Sequence, residues 1–293
     1  MGVSQPELIR DIAGLRNRIA AARKAGATIG FVPTMGALHA GHGALMDAAR
    51  RECNFTAASI FVNPIQFNNK KDYEKYGRNL PTDLDFCAAH QVDVVFAPSP
   101  EEMYPVEQDA FVEVLKVSKG LCGEFRPGHF RGVATVVTKL FNIVQPDISY
   151  FGEKDAQQLA VIRRMVQALD MNTQIVGVPT VREPDGLALS SRNQRLTPEE
   201  RSYAPILFRA LDASRLKALG DCKTAAEIRA AGLEVLSKEP RIRLEYFEVV
   251  DAEDMRPVTH ITGRICIAAA VWLGSVRLID NVTVQPLIVS PGQ

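Results

Sequence analysis

His39 and His42 stand three residues apart in the run 33–42, PTMGALHAGH. An apolar stretch, 28–32, precedes the run and an amphipathic one, 44–53, follows it, so the context is strand, glycine-bearing loop, helix. Two imidazoles at the mouth of such a helix suit a phosphate group. Helix N-termini present unpaired N–H groups and the positive end of a dipole to anions. Gly36 and Gly41 let the backbone approach a ligand closely. H-x-G-H is short, and a pair of structural histidines explains it equally well. Zinc is the weaker reading, since no third His, Cys or acidic residue lies at ligand spacing.

Four further stretches carry chemistry-bearing side chains. Asn63-Pro64-Ile65-Gln66-Phe67 reads as a turn, or as a place where Gln66 beside Phe67 binds a small polar acid with an apolar body. RPGHFRG, 126–132, reads as a solvated loop or as an anion site of two Arg and one His. In GEKDAQQ, 152–158, Asp155 and Gln158 have the spacing of a helix capping box. That spacing does not account for Lys154, a point charge suited to phosphate. REPDGLALSSRN, 182–193, holds a Pro184-Asp185-Gly186 turn and then Ser190, Ser191 and Arg192, two hydroxyls and a guanidinium fork matched to phosphate oxygens. Taken alone, this last stretch is an interdomain linker.

These residues need elements to position them. Leu8, Ile12, Leu15 and Ile19 share one helical face over 5–25, which Gly26 stops. Apolar runs predict strands over 28–32, 55–62, 92–97, 148–151 and 173–178. The second is nearly continuous, as in strands buried on both faces. Residues 68–81 read as a surface loop, 82–90 as a short helix capped by Thr82, and 110–117 as an alternating piece. The glycine-rich, basic stretch 121–132 feeds a helix in which Val133, Val136, Val137, Leu140, Phe141 and Val144 recur at helical spacing. Another helix opens at Asp155, with Leu159, Ile162, Val166 and Leu169 on its buried stripe.

Strand and helix thus alternate with few hairpin signals, which predicts an α/β fold, a Rossmann-like open parallel sheet over 1–182. Ligands of such sheets bind beyond the carboxyl ends of the strands, where four of the five stretches fall, after Val32, Val62, Phe151 and Val178. Beyond 183, Thr197-Pro198-Glu199-Glu200 forms a capping box with Pro at the first helical position. Helices near 199–218 and 223–237 and strands over 244–250, 264–272 and 276–284 follow. They predict a smaller α+β C-terminal domain, 183–293, expected to act as a lid.

Lys plus Arg and Asp plus Glu number 34 each, so the formal net charge is zero, which argues against a nucleic-acid or anionic-membrane surface. The longest apolar run, 265–273, is too short to span a bilayer. Cys53, Cys87, Cys122, Cys222 and Cys266 are scattered and form no C-x-x-C pair, which fits reduced thiols. The N-terminal residues lack a signal-peptide apolar core. The expectation is a cytoplasmic enzyme or binding protein without nucleic-acid or membrane partners.

PTMGALHAGH, NPIQF, RPGHFRGVATVVTKLFNIVQPD, FGEKDAQQ and LALSSRNQRL, in this order and at these intervals, resemble the pantoate–β-alanine ligases. The resemblance implies a reaction of the small molecules pantoate and β-alanine with ATP, in the presence of Mg²⁺, giving pantothenate, AMP and diphosphate. It implies that Met35, Gly36, Ala37, Leu38, His39, Ala40, Gly41 and His42 line the ATP site, with His42 as proton donor. For that reaction His39, His42 and Lys154 are the expected catalytic set, facing the α- and β-phosphate oxygens. Gly152, Glu153, Lys154, Asp155, the Val181 backbone, Leu189, Ser190, Ser191 and Arg192 match further ATP contacts. Gln66 and Gln158 match the pantoate-binding glutamines. The resemblance also implies a homodimer. Ala40 and Gly43 depart from the family pattern. Where an acidic pair near Mg²⁺ is common, this chain has Thr82-Asp83, which leaves Asp83 as the candidate protein ligand. Another H-x-G-H nucleotidylyl transferase, acting on a phosphate acceptor, is the alternative. The amides at 66 and 158 argue against it, since a phosphate acceptor calls for basic residues there.

Overall fold

The computed structural model describes residues 4–220 and 224–286. The chain divides into two compact units. The first comprises Met1–Ser118, Arg126–Glu153 and Val161–Pro179, and the second Lys119–Phe125, Lys154–Ala160 and Thr180–Gln293.

The first unit is built on six strands: β1 (Glu7–Ile9), β2 (Ile29–Thr34), β3 (Phe55–Ile60), β4 (Val94–Phe96), β5 (Ile148–Gly152) and β6 (Gln174–Val178). Their spatial order is β1-β4-β3-β2-β5-β6, and every neighbouring pair is parallel. Five of the six β3 residues are buried, as burial on both faces requires. The helix Ala40–Glu52 packs Leu45, Met46 and Ala49 with Val32, Ala58, Val95 and Tyr150 in one apolar core. From β2 the chain adds β3 and β4 on one side, then returns to add β5 and β6 on the other. The strand order therefore reverses between β2 and β5, and a ligand crevice opens at such a reversal, beyond the carboxyl ends.

The second unit holds three antiparallel strands, β7 (Ile242–Asp251), β8 (Ile265–Leu273) and β9 (Val276–Val284), in the order β7-β8-β9. The helices Ile206–Leu219 and Ala225–Leu236 cover the sheet, burying Leu207, Leu211 and Ile228 with Phe247, Ile267, Val271 and Leu278.

Several local expectations are corrected. Residues 7–9 do not continue the N-terminal helix but pair with the edge of β4, and Leu8 is left on the exposed side. The helix starts at Ile12 because the Asp11 side chain accepts the Gly14 N–H at 2.7 Å. The helix expected from Thr82 starts at Leu80, capped by Asn79, with Pro81 in its first turn. The loop 68–81 contains a short helix, Lys70–Glu74. Residues 110–117 form no strand, and the Val112 N–H donates to Thr135 Oγ1 at 3.0 Å instead. Within 121–132 the chain forms the helix Leu121–Phe125 and starts His129–Val144. Leu169 lies past the end of its helix and is exposed. Pro205 divides the helix expected over 199–218 into Pro198–Tyr203 and Ile206–Leu219. Cys222 and residue 223 lie outside the described residues, and that helix runs Ala225–Leu236.

Candidate active site

β2 ends at Thr34, and Gly36 and Ala37 then both take positive φ, +81° and +52°. A left-handed alanine is strained. Asp83, 4% exposed, holds it: one carboxylate oxygen accepts the Ala37 N–H at 3.1 Å and the other the Leu38 N–H at 2.9 Å. A Cβ on Gly36 would lie 2.8 Å from Asp83 Oδ2, so the loop closes over the carboxylate only with glycine there. Asp83 therefore shapes the loop from beneath, with each oxygen committed to a backbone N–H.

The loop delivers His39 to the N-cap of the helix Ala40–Glu52. His39 Nδ1 accepts the Gly41 N–H at 3.1 Å, and His42 Nδ1 accepts the His39 N–H at 3.3 Å, a capping box built from two imidazoles. The ring centroids are 4.2 Å apart. With both Nδ1 atoms accepting, each neutral ring carries its proton on Nε2, so the structural role of the pair sets the tautomer a ligand would meet. Gly43, one residue on, is filled from outside. A Cβ there would lie 2.6 Å from the His90 ring, which pairs with Asp47 at 2.7 Å and leans on Phe86.

Beyond β3, Pro64–Gln66 forms a 3₁₀ turn that presents Gln66, 7% exposed. Asn63 Nδ2 donates to Gln66 Oε1 at 3.0 Å and to Gly132 O at 3.2 Å. The Tyr104 hydroxyl donates to Asn63 Oδ1 at 2.7 Å, and burial pushes its pKa well up, keeping it a donor. Gln66 Nε2 reaches Met35 Sδ at 3.1 Å. Behind the turn, His129 Nδ1 lies 2.9 Å from Gln66 O, and Arg126 lies 3.2 Å from His129 Nε2. Arg131 is exposed and covers the Phe111 ring. The stretch 126–132 thus braces the Gln66 turn rather than gathering its charges around an anion.

β5 ends at Gly152, and Glu153–Asp155 makes a 3₁₀ turn into the helix Ala156–Ala168. β2 and β5 are neighbouring parallel strands, so their carboxyl ends lie at the same edge of the sheet. Gly152 and Glu153 belong to the first unit, whereas Lys154, Asp155 and Gln158 belong to the second. The Lys154 side chain is 17% exposed, with Nζ 3.9 Å from Asp155 Oδ2. Gln157 is buried and donates to Lys119 O and Gly120 O, while Gln158 is half-buried.

In the second unit, residues 181–189 form a tight hairpin. Leu189 N–H donates to Val181 O at 3.0 Å and Glu183 N–H to Leu187 O at 2.8 Å. Ser190 caps the turn Ser191–Arg195, and Arg192 follows in that turn. Arg182 fastens the hairpin to β9 by a two-pronged pair with Asp280, at 2.6 and 3.0 Å. Burial raises the Asp280 pKa, and the Arg182 hydrogen bonds and charge oppose that rise.

Sequence reasoning misses the residues that hold the site: Asn63 as the Gln66 anchor, Tyr104, Asp280 and Asn281, with Asp83 in a different role. One signal was available: Asp280 and Asn281 are adjacent polar residues within the strand VRLIDNVTV, so at least one of them must point to the face that the apolar residues share. Among the described residues no group of three or more His, Cys, Asp or Glu side chains is placed to hold a metal ion. No helix among them is long and apolar enough to cross a membrane.

An open parallel sheet with a histidine-capped helix at its point of reversal defines a nucleotide-binding α/β enzyme. The family model for pantoate-beta-alanine ligase matches residues 7–283, and the chain belongs to that family. A pantothenate synthetase of Moorella thermoacetica is 50% identical over 280 residues, covering 95% of this chain and 99% of the relative. A crystal structure of the pantothenate synthetase from Thermus thermophilus superimposes with TM-score 0.90 at 46% identity, covering 96% of this chain and all of that one. The pantoate-beta-alanine ligase of Francisella tularensis, solved in complex with "Beta-gamma ATP" and β-alanine, gives TM-score 0.78 at 36% identity over 94% of this chain and 97% of its own.

Proposed function

We propose that the chain condenses (R)-pantoate with β-alanine in two steps, using ATP and passing through pantoyl adenylate. The observation that carries this reading is the family match through 7–283, with its long motifs at strand ends beside the reversal between β2 and β5. The ATP-type ligand of the Francisella relative supports ATP as co-substrate.

In the first step a pantoate carboxylate oxygen attacks the α-phosphorus. The new P–O bond forms as the α–β bridging bond breaks, and its electron pair leaves with diphosphate. In the second, the β-alanine amine attacks the activated carbonyl, the C–N bond forms and AMP leaves. No enzyme nucleophile is needed, so the protein's task is positioning and charge stabilisation. The Nε2–H donors of His39 and His42, with Lys154, take the α- and β-phosphate oxygens, where negative charge grows. Met35, Gly36, Ala37, Leu38, Ala40 and Gly41 line the nucleotide, with Gly152, Glu153, Asp155, the Val181 backbone and Leu189. Ser190, Ser191 and Arg192 hold the outer phosphates. Gln66 and Gln158 bind pantoate's oxygens, and Met35 and Phe67 pack its methyl groups. Residues 183–293 serve as a lid that shields the adenylate from water.

The described residues do not fit a protein cage for Mg²⁺. Asp83 is committed to backbone N–H groups, and no acidic cluster among them replaces it. Mg²⁺ would then be supplied with the nucleotide rather than by a protein side chain, and would offset phosphate charge. The protein works in the cytoplasm as a homodimer. Light scattering of the purified protein tests the dimer, and the mass of a single chain would overturn it.

The test of the reaction is nucleotide analysis of the purified protein. Sustained ATP turnover should require both pantoate and β-alanine and should yield AMP. ADP as product, or turnover without pantoate, would overturn the reading.

A further inference from the structure

Asp280 and Asn281 lie side by side on β9, 4% and 7% exposed, opposite Ala269 and Ala268 of β8. Two adjacent buried polar residues in a strand are costly unless partnered. Both reach toward proposed phosphate contacts. Asn281 Nδ2 donates to Lys154 O at 2.9 Å, at the 3₁₀ turn that sets the Lys154 side chain. Asp280 accepts the Arg182 fork, and Arg182 donates further to Gly186 O at 3.1 Å and Asn281 O at 3.2 Å while lying over the Phe208 ring. Both terminal nitrogens of Arg182 thus fix the hairpin that ends at Ser190. A planar fork does this where an ammonium would not.

We propose that the Asp280-Asn281 pair is the positioning element that locks the Lys154 turn and the loop carrying Ser190, Ser191 and Arg192 into one frame. The two cationic arms are held by neighbouring residues of a single strand and belong to the same unit. Lys154 therefore keeps its register with Arg192, although only Glu153 separates it from the end of β5. Buried ion pairs contribute little net stability over an apolar replacement. The role of the pair is geometric: a misplaced charge stabilises less of the charge that grows on the leaving diphosphate. The inference rests on the proposed assignment of Lys154 and Arg192 to the phosphates.

The test is a double-mutant cycle read by single-turnover formation of pantoyl adenylate. Lys154→Ala alone should slow the step by about 10²-fold. Asn281→Leu, which removes the donor to Lys154 O, should slow it by about tenfold. The double variant should be no slower than Lys154→Ala alone, because Asn281 acts through Lys154. A general loss of folding integrity would multiply instead. Asn281→Leu at the parent rate, or a full further loss in the double variant, overturns the inference while leaving the Lys154 assignment standing. Lys154→Ala at near the parent rate overturns both. Arg182→Lys against Arg192→Ala forms a second cycle with the same expected coupling, and it decides the matter if Asn281→Leu does not fold.

Discussion

Gly132→Ala probes how closely the pantoate pocket is braced. Gly132 lies in the first turn of the helix His129–Val144. A Cβ there would stand 2.5 Å from Ile65 O, 2.6 Å from Gln66 Cα and 2.8 Å from Gln66 N. All three are backbone atoms, so no rotamer change relieves them. The turn must retreat by about 0.9 Å for the Ile65 O approach to reach ordinary van der Waals contact at 3.4 Å. It is restrained meanwhile by His129 at Gln66 O and by Asn63 at Gln66 Oε1. In a helix interior alanine is favoured over glycine by about 1 kcal/mol. Overpacking against a fixed wall costs about 1–3 kcal/mol. The two effects largely offset in stability, so the substitution should register in the site. We expect a loss of stability under about 2 kcal/mol and a pantoate KM raised by about tenfold. The KM for ATP should stay within about twofold. Initial-rate kinetics with pantoate varied at saturating ATP and β-alanine, beside thermal denaturation, give both quantities. An unchanged pantoate KM would refute the reasoning that the Gly132 contact positions Gln66.

Three other substitutions test separate parts of the account. Asp83→Asn turns an NH₂ toward the Ala37 or Leu38 N–H whichever way the amide flips, costing about 1–3 kcal/mol. Calorimetry should find ATP binding weakened about tenfold, and an unchanged Kd would show that the loop holds without Asp83. Gly43→Ala pushes the His90 ring away from Asp47, a pair at the surface worth under about 1 kcal/mol. Adding His90→Ala should recover the lost Tm, and no recovery would place the strain elsewhere. Burial raises the Glu245 carboxyl, but hydrogen bonds from Arg277 and Trp272 and the charge of Arg277 outweigh it, leaving the pKa lowered. A carboxyl lowered on folding stabilises the native state above its unfolded pKa, and that contribution disappears as pH falls through the folded value. Glu245→Gln should therefore be less stable than the parent at neutral pH, with the gap closing below the ordinary glutamate range. A gap that persists in acid would contradict the linkage.

Burial on both faces makes β3 legible from its apolar run, and the stripe of Val133, Val137, Leu140 and Val144 marks its helix at once. The three residues of β1 are not legible, because what makes them a strand is the open edge of β4, some ninety residues away. The alternation over 110–117 has the opposite fate: it has the period of a strand but no strand partner among the described residues. In the site, glycine and histidine at strand ends advertise the loops that carry chemistry. What holds those loops is hidden. Asp83, Asn63 and Asp280 act through contacts 45, 69 and 98 positions distant, which no local pattern encodes. His129 reads locally as a ligand for an anion, yet burial and a 2.9 Å contact with Gln66 O make it a brace.

Pantoate's carboxylate becomes bonded to the α-phosphorus of ATP in the proposed first step. Running the reaction with pantoate labelled with ¹⁸O in the carboxylate and weighing the products follows that bond. One ¹⁸O atom is expected in each AMP released and none in diphosphate. Unlabelled AMP, or label recovered in diphosphate or phosphate, would contradict it.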